Sequence, residues 1–360
     1  MREYGEGELR DLAVGAAILG TGGGGNPYVG RLLAREAVRA HGSVTVVDVG
    51  EVADDALVVP TAMMGAPTVM VEKLPRGDEA VSAFEALQEH LGRRITHTMP
   101  IEVGGLNSMM PFTVAARLGI PVVDADGMGR AFPEVQMVTA TIYGIPATPM
   151  ALADEKGNRV LLSETLDNHW TERFARSITV DMGSTALVAQ YPLSGRQLDQ
   201  AMVAGTLGLA TELGRLVRET RVQHGDPVGA IVDRLGGHRL FDGKIIDVER
   251  RTVAGFARGE ARIDGLGGYA GSTLVLEFQN EFIVARADAG VLCSVPDPIM
   301  VVDSETGEPT TTEDLRYGFR ISVLAAPCDA RWRTDAGLAL VGPRRFGYDF
   351  DYEAVEERVG

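Results

Sequence analysis

The chain has 360 residues, 45% apolar and 23% charged, with a formal net charge of -16. That length exceeds what one hydrophobic core usually serves, so two domains are expected. The acidic balance repels phosphate backbones and argues against nucleic acid as a partner. No run approaches the ~20 apolar residues that span a bilayer, and the charged start MREYGEGELRDL carries no apolar signal region, so a cytoplasmic location is expected. The two cysteines, Cys293 and Cys328, sit in apolar, strand-like context without a Cys-x-x-Cys pattern and read as reduced core thiols.

In chain order, Leu9, Leu12, Ala13, Ala16 and Leu19 recur at helical spacing and predict a helix over 8–19. It stops at Gly20-Thr21-Gly22-Gly23-Gly24-Gly25-Asn26-Pro27. A second helix starts near Tyr28, with Pro27 suited to its first turn, and ends near His41-Gly42. Strands are predicted over 43–49 and 57–64, then a helix over 79–91 with Val81, Phe84 and Leu87 inward. A strand over 95–101 follows, then a helix capped by Asn107 or Ser108 and reaching Leu118, then a strand over 121–124. This alternation predicts an α/β domain of three layers around a mainly parallel sheet. Segments 135–142 and 150–154 extend the sheet or begin a second layer, and Lys156-Gly157-Asn158 reads as a hairpin turn.

Near Asp167 the pattern changes. A helix covers 171–177, and a helical connecting segment occupies about 194–235, with one long helix expected over 194–221. Beyond Gly237 strands are predicted at 238–249 and 252–263, around a turn at Arg250-Arg251, then at 273–278, 281–286, 299–303 and 319–325. Closely spaced strands of this kind predict a β barrel or sandwich. The expected division is an α/β domain over 1–166, carrying the site, and a mainly β domain over 167–360.

Three clusters have chemical potential. The loop Gly22, Gly23, Gly24, Gly25 lets backbone approach a ligand closely, and the helix beginning at Asn26 and Tyr28 favours an anionic group. It joins helix to helix, so it is neither a dinucleotide fingerprint nor a Walker loop; a tight interhelical turn is the plainer reading. The second cluster, Glu102-Val103-Gly104-Gly105-Leu106-Asn107-Ser108, follows a strand, where open α/β sheets bind ligands. Glu102 is a candidate base and Asn107 a candidate polar clamp, against the alternative of a capped helix after a glycine turn. The third runs from Asp124 to Glu134. Asp124 and Asp126 share one face of an extended segment, which suits acid–base work or a hard cation, and Arg130 is placed to neutralise them or to clamp a substrate carboxylate. The alternative is a structural turn with an ion pair. His97, in the strand ending near Glu102, is the best-placed histidine. With Glu102, Asp124 and Asp126 it offers a mixed donor set for Zn²⁺ or Mn²⁺, although a satisfied strand histidine is the commoner case. No His-x-x-x-His, HExxH or Gly-x-Ser-x-Gly pattern occurs.

The segments LGTGGGGNPYVG, MMGAPTVMVEK, PIEVGGLNS and VVDADGMGRAFPE resemble the N-terminal domain of the S-methyl thiohydantoin desulfurase family. GKIIDVERRTVAGFARGEARIDG, LEFQNEF, SVPDPI and EDLRYGFRISVLAAP are similar to its C-terminal domain. The resemblance spans nearly the whole chain. It implies an α/β/α domain joined to a barrel-like β domain, and hydrolysis of a carbon–sulfur bond in an S-methyl thiohydantoin with release of methanethiol. It also implies association with hydantoinase/oxoprolinase proteins, beside or fused to which the family occurs. The rival expectation is therefore a non-catalytic subunit of such a complex, and a homo-oligomer or a hydantoinase-type partner is expected. Read from the residues, catalysis falls to Glu102, Asp124 and Asp126. Substrate binding falls to the glycine loop, Asn26, Tyr28, Asn107, Arg130 and Glu134, at the carboxyl edge of the first sheet and facing the second domain.

Overall fold

A computed structural model describes residues 1–65, 69, 77–253, 256–288 and 290–359. Most of the MMGAPTVMVEK segment, and residues 254–255 within the strand expected over 252–263, lie outside the described residues. The first sheet holds β1 (Arg2–Tyr4), β2 (Val44–Val47), β3 (Leu57–Gly65), β4 (His97–Pro100) and β5 (Val122–Val123). After the short β6 (Ala125–Asp126) it continues with β7 (Met150–Ala153), β8 (Arg159–Leu162), β9 (Thr185–Ala189) and β10 (Leu193–Ser194). Its order is β1-β2-β5-β4-β3-β9-β7-β8, with β10 beside β3. The run Leu-Val-Val-Pro-Thr-Ala-Met-Met in β3 is buried throughout, as a central strand covered on both faces must be.

The sheet is mixed where a mainly parallel one was expected. β2, β5, β4 and β3 run parallel, while β1, β9, β7, β8 and β10 pair antiparallel. The parallel crossovers carry α3 (Glu79–Leu91) and α4 (Met110–Leu118), which pack beside α1 (Glu6–Leu19) and α2 (Pro27–His41). β9 enters the centre of this sheet from beyond residue 166, so the chain crosses back after the expected division.

Two local expectations fail ahead of the second sheet. Segment 135–142 is a loop ending in the single turn α5 (Thr139–Ile142). Side chains hold its backbone: Val135 N–H donates to Glu172 and Tyr191 O–H donates to the Val135 carbonyl. After α6 (Asn168–Asp181), the long helix expected over 194–221 breaks into α7 (Gly195–Ala201), β11 (Val203–Ala204) paired with β6, and α8 (Thr206–Val222). The break falls at Gly205, where φ is +79°, and the Asp124 carboxylate accepts the Leu207 and Gly208 amides as α8 begins. A further helix, α9 (Pro227–Leu235), leads into the second domain.

That domain is a seven-stranded sheet of β12 (His238–Val253), β13 (Phe256–Gly265), β14 (Thr273–Gln279), β15 (Glu281–Ala287), β16 (Gly290–Ser294), β17 (Ile299–Asp303) and β18 (Arg320–Ala325). Every pairing among the described residues is antiparallel, and β15 also touches β17, so the sheet curls into a half-barrel. Arg250 and Arg251 do not form the expected turn; β12 runs through them to Val253, which pairs with Phe256. Both cysteines are free, Cys293 buried and Cys328 partly so. No helix among the described residues is long and apolar enough to cross a membrane.

Candidate active site

The carboxyl edge of the parallel strands faces the start of β15. There a cleft of about 590 Å³, counted out into open solvent, lies between the domains. The three segments singled out in the sequence all contribute to it: Gly24 and Gly25, then Glu102 and Asn107, then Glu134 with Met128, Phe132, Pro133 and Val135. Gln190 follows β9 and completes one wall, while Asn280 and Glu281 enter from the second domain.

Glu102 leaves the end of β4 and is 5% exposed. Its Oε1 accepts from Asn107 Nδ2 at 2.5 Å and its Oε2 from the Phe132 amide at 3.3 Å. Burial pushes its carboxyl up to about 7, against those donors and the Arg130 charge. Asn107 does not cap a helix. Its Oδ1 accepts the Met63 amide at 2.7 Å and its Nδ2 faces the Met63 carbonyl, tying the turn to β3. Glu281 is 3% exposed and also lines the cleft. Burial, then the nearby charge of Glu102, hold its carboxyl well above the usual range. Its Oε2 has no hydrogen-bond partner among the described residues. Two buried carboxyls thus sense each other across the domain seam.

The glycine loop makes that seam close. A Cβ on Gly23 would lie 2.0 Å from Glu281 Oε1, and one on Gly24 2.4 Å from the Gly104 Cα. Side chains at these positions would push Glu281 or the Glu102 turn away. The loop is sewn to the second domain, since the Phe282 amide donates to the Thr21 carbonyl and the Thr312 amide to that of Gly22. Gly22 itself packs on the Phe282 ring.

Arg130 crosses the same seam fully buried. Its nitrogens donate to the carbonyls of Ala131, Pro296, Asp297 and Phe282 and to the Thr21 hydroxyl. These protein acceptors occupy the guanidinium, so it does not clamp a substrate as expected from the sequence. It is a fixed cation beside the two glutamates, its own pKa lowered by burial to about 10. Asn26 and Tyr28 also lie outside the cleft. Asn26 caps α2 by accepting the Tyr28 and Val29 amides, and the exposed Tyr28 ring stacks on Arg31. Glu134 sits at the wall, held by Gln136 and by Arg345.

Asp124 and Asp126 do not line the cleft. Asp124 accepts the Leu207 and Gly208 amides and pairs with Arg2. Asp126 accepts the Val103, Met128 and Gly129 amides at 2.8–3.1 Å. Burial pushes its carboxyl up to about 7, while those amides pull toward the charged form. It braces the turn that carries Glu102. His97 begins β4 at the far end from Glu102, its Nδ1 against Thr96 Oγ1 at 2.8 Å. The expected metal donors therefore do not converge, and no group of three or more His, Cys, Asp or Glu side chains that could hold a metal gathers among the described residues. Sequence reasoning passed over Glu281 and Gln190. The one available signal was Gln279-Asn280-Glu281 inside LEFQNEF, a polar trio at a one-residue reversal where Asn280 takes φ +58°.

The crystal structure of a protein from Chromobacterium violaceum is similar over 99% of this chain and 100% of its own, at 27% identity and a TM-score of 0.82. No curated protein matches. The S-Me-THD-like N-terminal domain matches residues 7–164 and the S-Me-THD-like C-terminal domain residues 166–355. With both halves matched, the chain belongs to the S-Me-THD-like family, that of the S-methyl thiohydantoin desulfurases.

Proposed function

We propose that the cleft hydrolyses the carbon–sulfur bond of a five-membered S-methyl thiohydantoin, giving the hydantoin and methanethiol. The observation that carries this reading is the pair of buried carboxyls, Glu102 and Glu281, with a fixed cation beside them. Replacing an S-methyl group on a C=N carbon by oxygen needs one acid and one base, and the environments of the two glutamates differ in the required sense. Glu102 accepts two N–H donors, which favours the carboxylate. Glu281 has an unpartnered oxygen and a strongly raised pKa, which favours the protonated acid.

Glu281 donates its proton to the ring nitrogen while Glu102 takes one from water, whose oxygen bonds to the carbon bearing sulfur. The tetrahedral adduct is neutral. On collapse the C–S bond breaks and the C=O bond forms. The hydroxyl proton returns to Glu281, and Glu102-H protonates the departing thiolate, restoring both groups. Arg130 offsets the one negative charge that the pair shares throughout. Met63, Met64, Met128, Phe132 and Val188 give the S-methyl group an apolar wall. Incubation with a panel of S-methyl thiohydantoins, read by thiol release, tests the reading. Release abolished in Glu281→Gln is the expected result, and a fully folded protein that releases no thiol from any of them would sink it.

A further inference from the structure

Each buried amide side chain of the cleft poses the same question: what holds its two ends? For Asn107 the protein answers, since both ends bind Met63 or Glu102. For the Oε1 end of Gln190 it does not, among the described residues. Gln190 is 3% exposed and lines the cleft. Its backbone is fixed by its own amide donating to the Pro60 carbonyl at 3.1 Å, on the extension of β9. Yet its Oε1 has no hydrogen-bond partner among the described residues. A buried amide end left open costs folding free energy, so a group that fills it on binding gains more than an exposed contact would.

We infer that Gln190 is a specificity residue that reads the cis-lactam edge of a ring, its adjacent N–H and C=O groups, and so selects cyclic ureides and lactams over open-chain or N-alkylated analogues. A primary amide offers one acceptor and one donor side by side, and a cis-lactam edge offers the complement, so two parallel hydrogen bonds form. Turning the Gln190 amide over merely exchanges the two roles, and the pairing survives. In an S-methyl thiohydantoin this edge adjoins the carbon bearing sulfur on the side away from the imine nitrogen. A ring held there by Gln190 presents its imine nitrogen elsewhere in the cleft, where the acid must act. The inference deepens the proposed hydrolysis and rests on its placement of substrate in this cleft.

The test uses binding as well as turnover. Hydantoin and 1,3-dimethylhydantoin, which lacks both ring N–H groups and so every cis-lactam edge, are titrated calorimetrically into wild-type protein and Gln190→Met. Wild type should prefer hydantoin, and Gln190→Met should weaken hydantoin binding about tenfold or more and lose the preference. Its melting temperature should hold or rise, because the open amide is gone and the volume is kept. A merely structural glutamine would give the reverse, a lower melting temperature with the preference intact, and that result overturns the inference. Failure of wild type to bind hydantoin overturns it too. The two readings separate cleanly. Gln190-dependent hydantoin binding without thiol release defeats the hydrolysis alone, and thiol release with binding indifferent to Gln190 defeats this inference alone.

Discussion

Two pairs of buried acidic residues lie close together in this protein, and they differ in what their oxygens meet. Asp124 and Asp126 are satisfied by backbone amides and Arg2: one receives the N-terminus of α8, the other the turn after β4. Glu102 and Glu281 face a cleft, and Glu281 keeps an oxygen with no partner among the described residues. Burial alone therefore separates nothing, because it raises Glu102 and Asp126 alike to about 7. What separates them is whether the protein or the cleft supplies the remaining partner. A carboxylate saturated by amides holds structure, and one left open at a cavity is free to exchange a proton.

Substitution should break this contrast most sharply at the glutamates. Glu102→Gln and Glu281→Gln should each lower turnover of an S-methyl thiohydantoin by ~100-fold or more, with little change in melting temperature. Retained turnover in either would return that residue to a packing role.

The pH profile of kcat/KM sharpens the comparison next. The base must be ionised, so the rate should fall about tenfold per unit below the Glu102 pKa of about 7. Stability runs the other way. The folded pKa of Glu102 lies above the ordinary 4.5, so its contribution is fully present below about pH 4.5 and is lost as pH rises through 7. That loss amounts to roughly 3 kcal/mol, and urea melts of Glu102→Gln should lack this share of the slope. An unchanged slope would contradict the burial argument.

Asp126→Ala should cost about 3 kcal/mol of stability by orphaning buried amides, and calorimetry should register it as a large drop in melting temperature. Asp124→Asn should cost about 1 kcal/mol at the start of α8 while turnover per folded molecule is kept. A catalytic collapse in Asp124→Asn without destabilisation would reverse the assignment of the two pairs. The smallest effect is expected from chelation. Dialysis against a chelator should leave thiol release unchanged, because Glu102, Asp124, Asp126 and His97 do not converge; a loss restored by Zn²⁺ or Mn²⁺ would contradict that.

Much of the architecture was legible in the residues. The helical spacing from Leu9 to Leu19, the alternation that follows and the closely spaced strands beyond Gly237 follow from local periodicity, which a sequence carries in full. The α/β first domain and the β second domain were both readable, and Glu102, Asn107 and the glycine loop stood out by residue type and place. The break at Gly205 was not readable, because the Asp124 carboxylate that receives the start of α8 lies over 80 residues earlier. Nor was β9, inserted beside β3 from beyond the first domain. The proposed acid depended most on the fold. Glu281 sits in an ordinary polar hairpin, and only docking β15 against Gly23 brings its carboxyl within reach of the charge on Glu102. Local chemistry fixes which side chains exist and which elements they form. Which two carboxyls share one cleft, and which amide oxygen there lacks a partner among the described residues, is decided by contacts distant in sequence, where desolvation and proximity act together.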